Sequence, residues 1–167
     1  MDRTITFDRG NKKGINMSKS EHWAPHVTVA TIIEQNNRFL LVYEAPDGLP
    51  VYNQPAGHLD EGEKLSTAAV RETLEETGWE VTVTHYLGVY HYIAPNGITY
   101  LRHGFVAKPV KHHSKQALDV GIIEAVWMTY EEIQNRETQM RSTLVKQLVD
   151  DYRSGRFYPL AALNEDR

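Results

Sequence analysis

Between Gly57 and Trp79 the chain runs GHLDEGEKLSTAAVRETLEETGW, a stretch that admits few local structures. Helix formers fill Leu65 to Thr77, and Gly78 sits where a left-handed stop belongs. On that helix Glu72, Glu75 and Glu76 fall at i, i+3 and i+4, so three carboxylates leave neighbouring turns of one face. Each like-charge pair costs about 0.2–0.5 kcal/mol, and the negative end of the helix dipole adds to the repulsion. A hard divalent cation reverses that sign. From Asp60 to Glu76 six acids oppose Lys64 and Arg71, giving −4, the net charge of the whole chain. Oxygen donors with no thiolate or imidazole among them suit Mg²⁺, or Mn²⁺, better than Zn²⁺. Mg²⁺ keeps open positions for phosphate oxygens, so the expected partner is a small polyphosphate.

The flanking sequence reads mainly as strands. His26 to Ile33 and Arg38 to Tyr43 are β-rich runs separated by Asn36-Asn37, which predicts a hairpin. Glu80–Val83, Leu87–Ile93, Thr99–Val106 and Ile122–Met128 read as further strands. Tyr130–Ile133 opens a short helix, and Ser142–Ser154 carries apolar residues at helical spacing up to Gly155. Strands do not alternate regularly with helices, so the class is α+β, a mixed sheet between helices. Residues 1–20 are polar and lack a period, predicting a flexible N-terminal tail before one domain at 21–167. Met17 opens MSKSEHW and is a candidate native start, which leaves residues 1–16 outside the native chain.

Net charge −4 and pI near 6.1 argue against a nucleic-acid polymer as partner. With no cysteine, a disulfide framework, a thiolate metal site and a cysteine nucleophile are all excluded. Apolar runs are too short to span a bilayer, and residues 1–20 lack a signal-peptide core, so no membrane partner and a cytoplasmic monomer or homodimer are expected.

The register Gly57-x5-Glu63-x7-Arg71-Glu72-Thr73-x-Glu75-Glu76-x-Gly78-Trp79 resembles the Nudix box of the Nudix hydrolases. Thr73 and Trp79 depart from it, standing where the family usually has aliphatic residues. PHVTVA at 25–30, NQPAGHLD at 53–60, IAP at 93–95, LR at 101–102 and YPL at 158–160 resemble one phosphatase subgroup of that family. The resemblance implies an α/β/α sandwich with a mixed sheet and a loop-helix-loop catalytic box. It further implies Mg²⁺-dependent hydrolysis of phosphoanhydride bonds in nucleoside tri- and diphosphates and related pyrophosphates, including thiamine-pathway pyrimidine pyrophosphates, with orthophosphate released. An ADP-ribose pyrophosphatase is the alternative enzyme, for which Pro95, a short way beyond the box, speaks. A nucleotide-sensing module of the same fold without catalysis is the alternative of another class; such modules typically lose box carboxylates, and this chain keeps all of them.

Carried onto this chain, the box makes Glu72, Glu75 and Glu76 the metal ligands, joined by the backbone carbonyl of Ala56. A lone E-x-x-E-E cluster is more often a solvated face; Gly57, Glu63 and Arg71 in register reverse that preference. Arg71 points about 100° from Glu72 on the helix and is expected to reach back to Glu63, locking the loop. Glu76 or Glu72 is a candidate general base, as are Asp119 and Glu124 from later segments. Arg102 is a candidate phosphate clasp, with a surface charge the equal alternative. Tyr92, with Tyr90, Tyr100 and Trp23, is a candidate ring-stacking residue, although strand aromatics more often belong to the core.

Overall fold

The computed structural model describes residues 23–46 and 48–165. The N-terminal tail expected at 1–20 lies outside them, as does Met17. Strands β1 (His26–Gln35) and β2 (Arg38–Glu44) form the expected hairpin, turning through Asn36 and Asn37 with φ of 53° and 59°. Two consecutive left-handed residues match the twist of the flanking strands. The pair then parts: β1 and β2 share register only at Glu34↔Phe39 and Gln35↔Arg38. Beyond that point β2 pairs with β3 (Val51–Asn53) and β7 (Ile122–Thr129). β1 pairs with β4 (Ala56–His58) and, in parallel, with β6 (Thr99–His112). Antiparallel pairing of β6 with β5 (Trp79–Ile93), and of β5 with β8 (Tyr158–Pro159), completes a mixed sheet. A cleft therefore opens where β1 and β2 diverge.

Helix α1 (Leu65–Thr77) covers one face of the sheet, and α2 (Tyr130–Asn135) and α3 (Thr143–Arg153) cover the other. β1 shows the layering: Val29 packs with Ala68, Ala69 and Phe105, whereas Ala30 and Ile32 pack with Ile133, Leu144, Val145, Leu148 and Val149. Period-2 alternation sends successive side chains to opposite layers, so a strand buried on both faces reads as a continuous apolar run. This is the expected sandwich. No helix among the described residues is long and apolar enough to cross a membrane.

The segments expected as separate strands at 80–83 and 87–93 are one strand, β5. Register shifts between Glu80 and Val81, Val83 and His85, and Tyr86 and Gly88 bend it without breaking its pairing to β6. Those bulges also explain the imperfect alternation of the sequence there. α1 spans the expected residues, and Gly78 at φ 69° returns its N–H to the carbonyl of Leu74 at 2.8 Å. Thr73 is fully buried and donates its hydroxyl to the carbonyl of Ala69 at 2.7 Å, so the departure from an aliphatic residue leaves no unmet donor.

Candidate active site

The buried residues of α1 are Ala68, Ala69, Glu72, Thr73, Glu76 and Thr77, one stripe at helical spacing. Two of the three glutamates thus lie on the face that packs against the sheet, each 8% exposed. Burial of a carboxylate favours its neutral form. It pushes the Glu76 carboxyl up to about 8, against the pull of the Ala56 N–H and with added repulsion from Glu44, Glu72 and Asp119. It raises Glu72 as well, although Arg71 opposes it. Gly57 of β4 lies against this face, and a Cβ there would overlap the carboxylate of Glu72.

Arg71 clasps Glu63 with two parallel bonds, Nε to Oε1 at 2.9 Å and Nη2 to Oε2 at 2.8 Å. Nη2 also donates to the carbonyl of His58 at 3.1 Å, tying the box loop to the helix. The bonds between Arg71 and Glu63 hold the Glu63 carboxyl below its ordinary range and raise Arg71. The expected separation of Arg71 from Glu72 is not found. Nη1 reaches Glu72 Oε1 at 2.7 Å and Glu75 Oε2 at 3.0 Å, because the long side chain leans across the turn that a Cβ direction alone would keep apart.

Asp119 comes to the helix by backbone bonds. The segment 113–121 lies on the last turn of α1: the N–H of His113 donates to Gly78 at 2.8 Å, the Gln116 amide to Leu74 at 3.0 Å and the N–H of Asp119 to Glu75 at 3.1 Å. C-terminal carbonyls of a helix lack intrahelical partners, and this loop supplies them. As a result Glu72, Glu75 and Asp119 each offer an oxygen, all within 4.8 Å of one another. Glu76 stands outside that set. Its Oε2 accepts from the N–H of Ala56 at 2.8 Å, and the side chain lines the cleft between β1 and β2. Glu124 is exposed on β7 opposite Tyr43, and the structure does not bring it to the cluster. Three carboxylate oxygens against one guanidinium, with no sulfur or imidazole among them, fit a hard dication such as Mg²⁺ or Mn²⁺.

The cleft is a cavity of about 390 Å³. Its floor is made by Thr28, Glu44, Asn53, Ala56 and Glu76, and Arg102 of β6 projects over it with Nη1 3.4 Å from Asn53 Oδ1. Desolvation and the neighbouring Arg141 bring Arg102 down to about 10, while Glu44 and Glu76 oppose them. Tyr92, Tyr100, Pro95 and Asn96 form the rim. Tyr90, by contrast, is core: it is buried and donates its hydroxyl to Asp151 at 2.9 Å. Trp23 is 75% exposed and outside the cavity lining. Sequence reading missed Glu44 and Arg141, paired at 2.8 Å, because nothing near them in sequence marks either one. A larger cavity of about 610 Å³, bounded by Phe39, Tyr130, Tyr152 and Phe157, contains no box residue.

A three-layer sandwich carrying a carboxylate helix beside an arginine-bearing cleft defines a class, the hydrolases that act on phosphate anhydrides. Residues 24–148 match the model of the NUDIX domain. The chain is 37% identical over 141 residues to Phosphatase NudJ of Shigella boydii, covering 84% of this chain and 92% of that protein, and equally to that of Escherichia coli K12. A solved NUDIX hydrolase from Nitrosomonas europaea superposes with a TM-score of 0.84 at 42% identity, covering 86% of this chain and 98% of the other. The chain belongs to the Nudix family and is a Nudix hydrolase.

Proposed function

We propose that the chain hydrolyses phosphoanhydride bonds in nucleoside tri- and diphosphates and related pyrophosphates with Mg²⁺, or Mn²⁺, and releases orthophosphate. The convergence of Glu72, Glu75 and Asp119 next to the arginine-bearing cleft carries this reading. These three side chains would hold the cation, joined by the carbonyl of Ala56 as the box resemblance implies. When bound, the cation lowers the pKa of water and neutralises charge on the phosphate oxygens. Arg71 holds Glu63, Glu72 and Glu75 in register, so the carboxylates meet the substrate already oriented. Arg102 binds a phosphate, since among the described residues its N–H groups donate only to Asn53. Glu76 is the box carboxylate that reaches the cleft, and with one oxygen fixed by Ala56 it takes the proton of the attacking water on the other. Tyr92 and Tyr100 at the rim face the ring of the substrate.

Similarity to a protein named Phosphatase NudJ supports release of orthophosphate. The ADP-ribose reading keeps one observation, Pro95 at the cavity rim. A panel of GTP, GDP, ADP-ribose and a pyrimidine pyrophosphate with Mg²⁺, scored for orthophosphate, pyrophosphate and nucleoside monophosphate, tests the proposal. Orthophosphate from the nucleotides supports it. ADP-ribose as the sole substrate replaces it with the alternative, and no turnover of any member ends it.

A further inference from the structure

The cleft floor is closed, and its polar atoms are short of partners. Thr28, Asn53, Glu44 and Glu76 are 4%, 3%, 6% and 8% exposed, so nothing larger than a small group ends there. Thr28 Oγ1, Glu44 Oε1 and Arg102 Nε are buried and have no hydrogen-bond partner among the described residues. Buried polar atoms normally have partners, and each orphan costs about 1–3 kcal/mol. Two on the floor and one above it mark a place where a ligand supplies what the protein lacks.

Arg141 adds a second guanidinium. Its backbone N–H is pinned to the carbonyl of Tyr52 at 2.8 Å, next to the bridge between Tyr52 and Met140, and Met140 is buried in the core. Its Nη1 donates to Glu44 Oε2 at 2.8 Å. An arginine has five N–H donors, so this bond leaves others to meet a group in the cavity that both Arg141 and Arg102 line.

We propose that Arg102 and Arg141 form a subsite for a terminal phosphoryl group, which makes the substrate class pyrophosphate monoesters and excludes diesters such as ADP-ribose. The inference rests on the hydrolase reading above and narrows it. The ring of the substrate lies at the Tyr92 and Tyr100 rim, and its last phosphate reaches the floor beside Glu76. Register supports that order: on β6 Tyr100 lies opposite His26 at the start of β1, and Arg102 opposite Thr28, two residues further in. The unpartnered oxygen of Glu44 discriminates further. A terminal phosphate has a second pKa near 6 and carries a P–OH through part of the neutral range, which donates to Glu44 Oε1. An anhydride diester has no such proton and meets only repulsion there. Glu44 is thus a positioning residue for Arg141 and an acceptor for the monoester.

The test uses the full chain with Mg²⁺, GDP and ADP-ribose, and Arg141→Gln with Arg141→Lys as a control that keeps the charge. Wild-type kcat/KM is expected to favour GDP by about 100-fold or more, as for sites built around a specific polar group. Arg141→Gln is expected to collapse that ratio at least tenfold through KM for GDP, and Arg141→Lys to restore part of it. Inorganic phosphate, titrated calorimetrically, is expected to bind at least tenfold more weakly to Arg141→Gln. Equal turnover of the two wild-type substrates, or an unchanged ratio in Arg141→Gln, overturns the inference even if hydrolysis is robust. If no anhydride is cleaved, the hydrolase reading fails on its own, and the calorimetric phosphate comparison still decides the subsite, unchanged binding refuting it.

Discussion

The carboxylate face of α1 carries surplus negative charge, whereas the cleft beside it sets two arginines against two glutamates, and the two regions are built in opposite ways. On the helix and the loop that leads into it, Glu63, Glu72 and Glu75 come from one stretch of thirteen residues and share one guanidinium, Arg71. In the cleft, Thr28, Glu44, Asn53, Arg102 and Arg141 come from four strands and a loop and leave three polar atoms unpartnered. The first region is held together by its own ion pairs before any ligand arrives. The second leaves polar atoms for a ligand to meet. On the proposed reading the cation would bind a preassembled surface, whereas substrate selection would depend on strands parting in the right place.

The largest effect should come from the residue shared by both regions, Glu76. Glu76→Gln is expected to lower turnover by about 10²–10⁴-fold, the range of a lost general base, with the substrate KM little altered. Its stability signature is separate. Because the folded state raises this carboxyl to about 8, the unfolded chain binds fewer protons across the window from its ordinary range near 4.5 up to 8. Metal-free wild type therefore loses stability relative to Glu76→Gln as pH rises through that window. Denaturant unfolding at pH 5 and pH 8 checks this, and a gap between the two proteins that fails to widen with pH would show that Glu76 is not a buried charge.

Asp119→Asn tests whether the helix face needs its third oxygen. A loss of about 10–100-fold in activity at limiting Mg²⁺ is expected, recovering in part at high Mg²⁺, because the fault lies in cation affinity. Asp119 also shows where the sequence stops being readable. Glu72, Glu75 and Glu76 announce themselves by helical spacing, and Gly57, Glu63 and Arg71 confirm them by register. Asp119 is forty-three residues beyond Glu76 and reaches the helix through two backbone bonds and one side-chain amide of a loop whose residues carry no pattern. Arg141 and Glu44, ninety-seven apart, are invisible for the same reason. Layer order, the hairpin and the α1 boundaries were legible because two short-range periods dictate them. The continuity of β5 was not, since bulges erase alternation while pairing persists.

Gly57→Ala should act on the seam between the two regions with a smaller effect. The new Cβ lands on the Glu72 carboxylate, which Arg71 holds on its other side, so the ligand oxygen must shift or the clasp must loosen. A drop of about tenfold in kcat is expected, near the cost of a roughly 1.4 kcal/mol displacement, with the Mg²⁺ requirement rising in step. Wild-type kcat in this variant would mean that Glu72 moves freely and is not held at a fixed position.

The smallest effect belongs to the opposite end of the same helix. α1 has no side-chain cap of its own, and Lys64 precedes it where an acceptor would be favoured. The cap arrives from the far end of the chain: Glu165 accepts the backbone N–H of Ser66 at 3.1 Å and the Ser66 hydroxyl at 2.6 Å. A carboxylate at a helix N-terminus complements the dipole, whereas Glu72, Glu75 and Glu76 oppose it at the C-terminal end. One helix thus separates stability from function, with the favourable acid placed away from the chemistry and the costly acids placed at it. Glu165→Gln keeps the shape but removes the charge, so a loss of about 0.5–1 kcal/mol in unfolding free energy is expected with kcat unchanged. Thermal unfolding and a rate measurement on the same sample check it. A fall in kcat without a fall in stability would place the C-terminal segment in the chemistry and erase that division of labour.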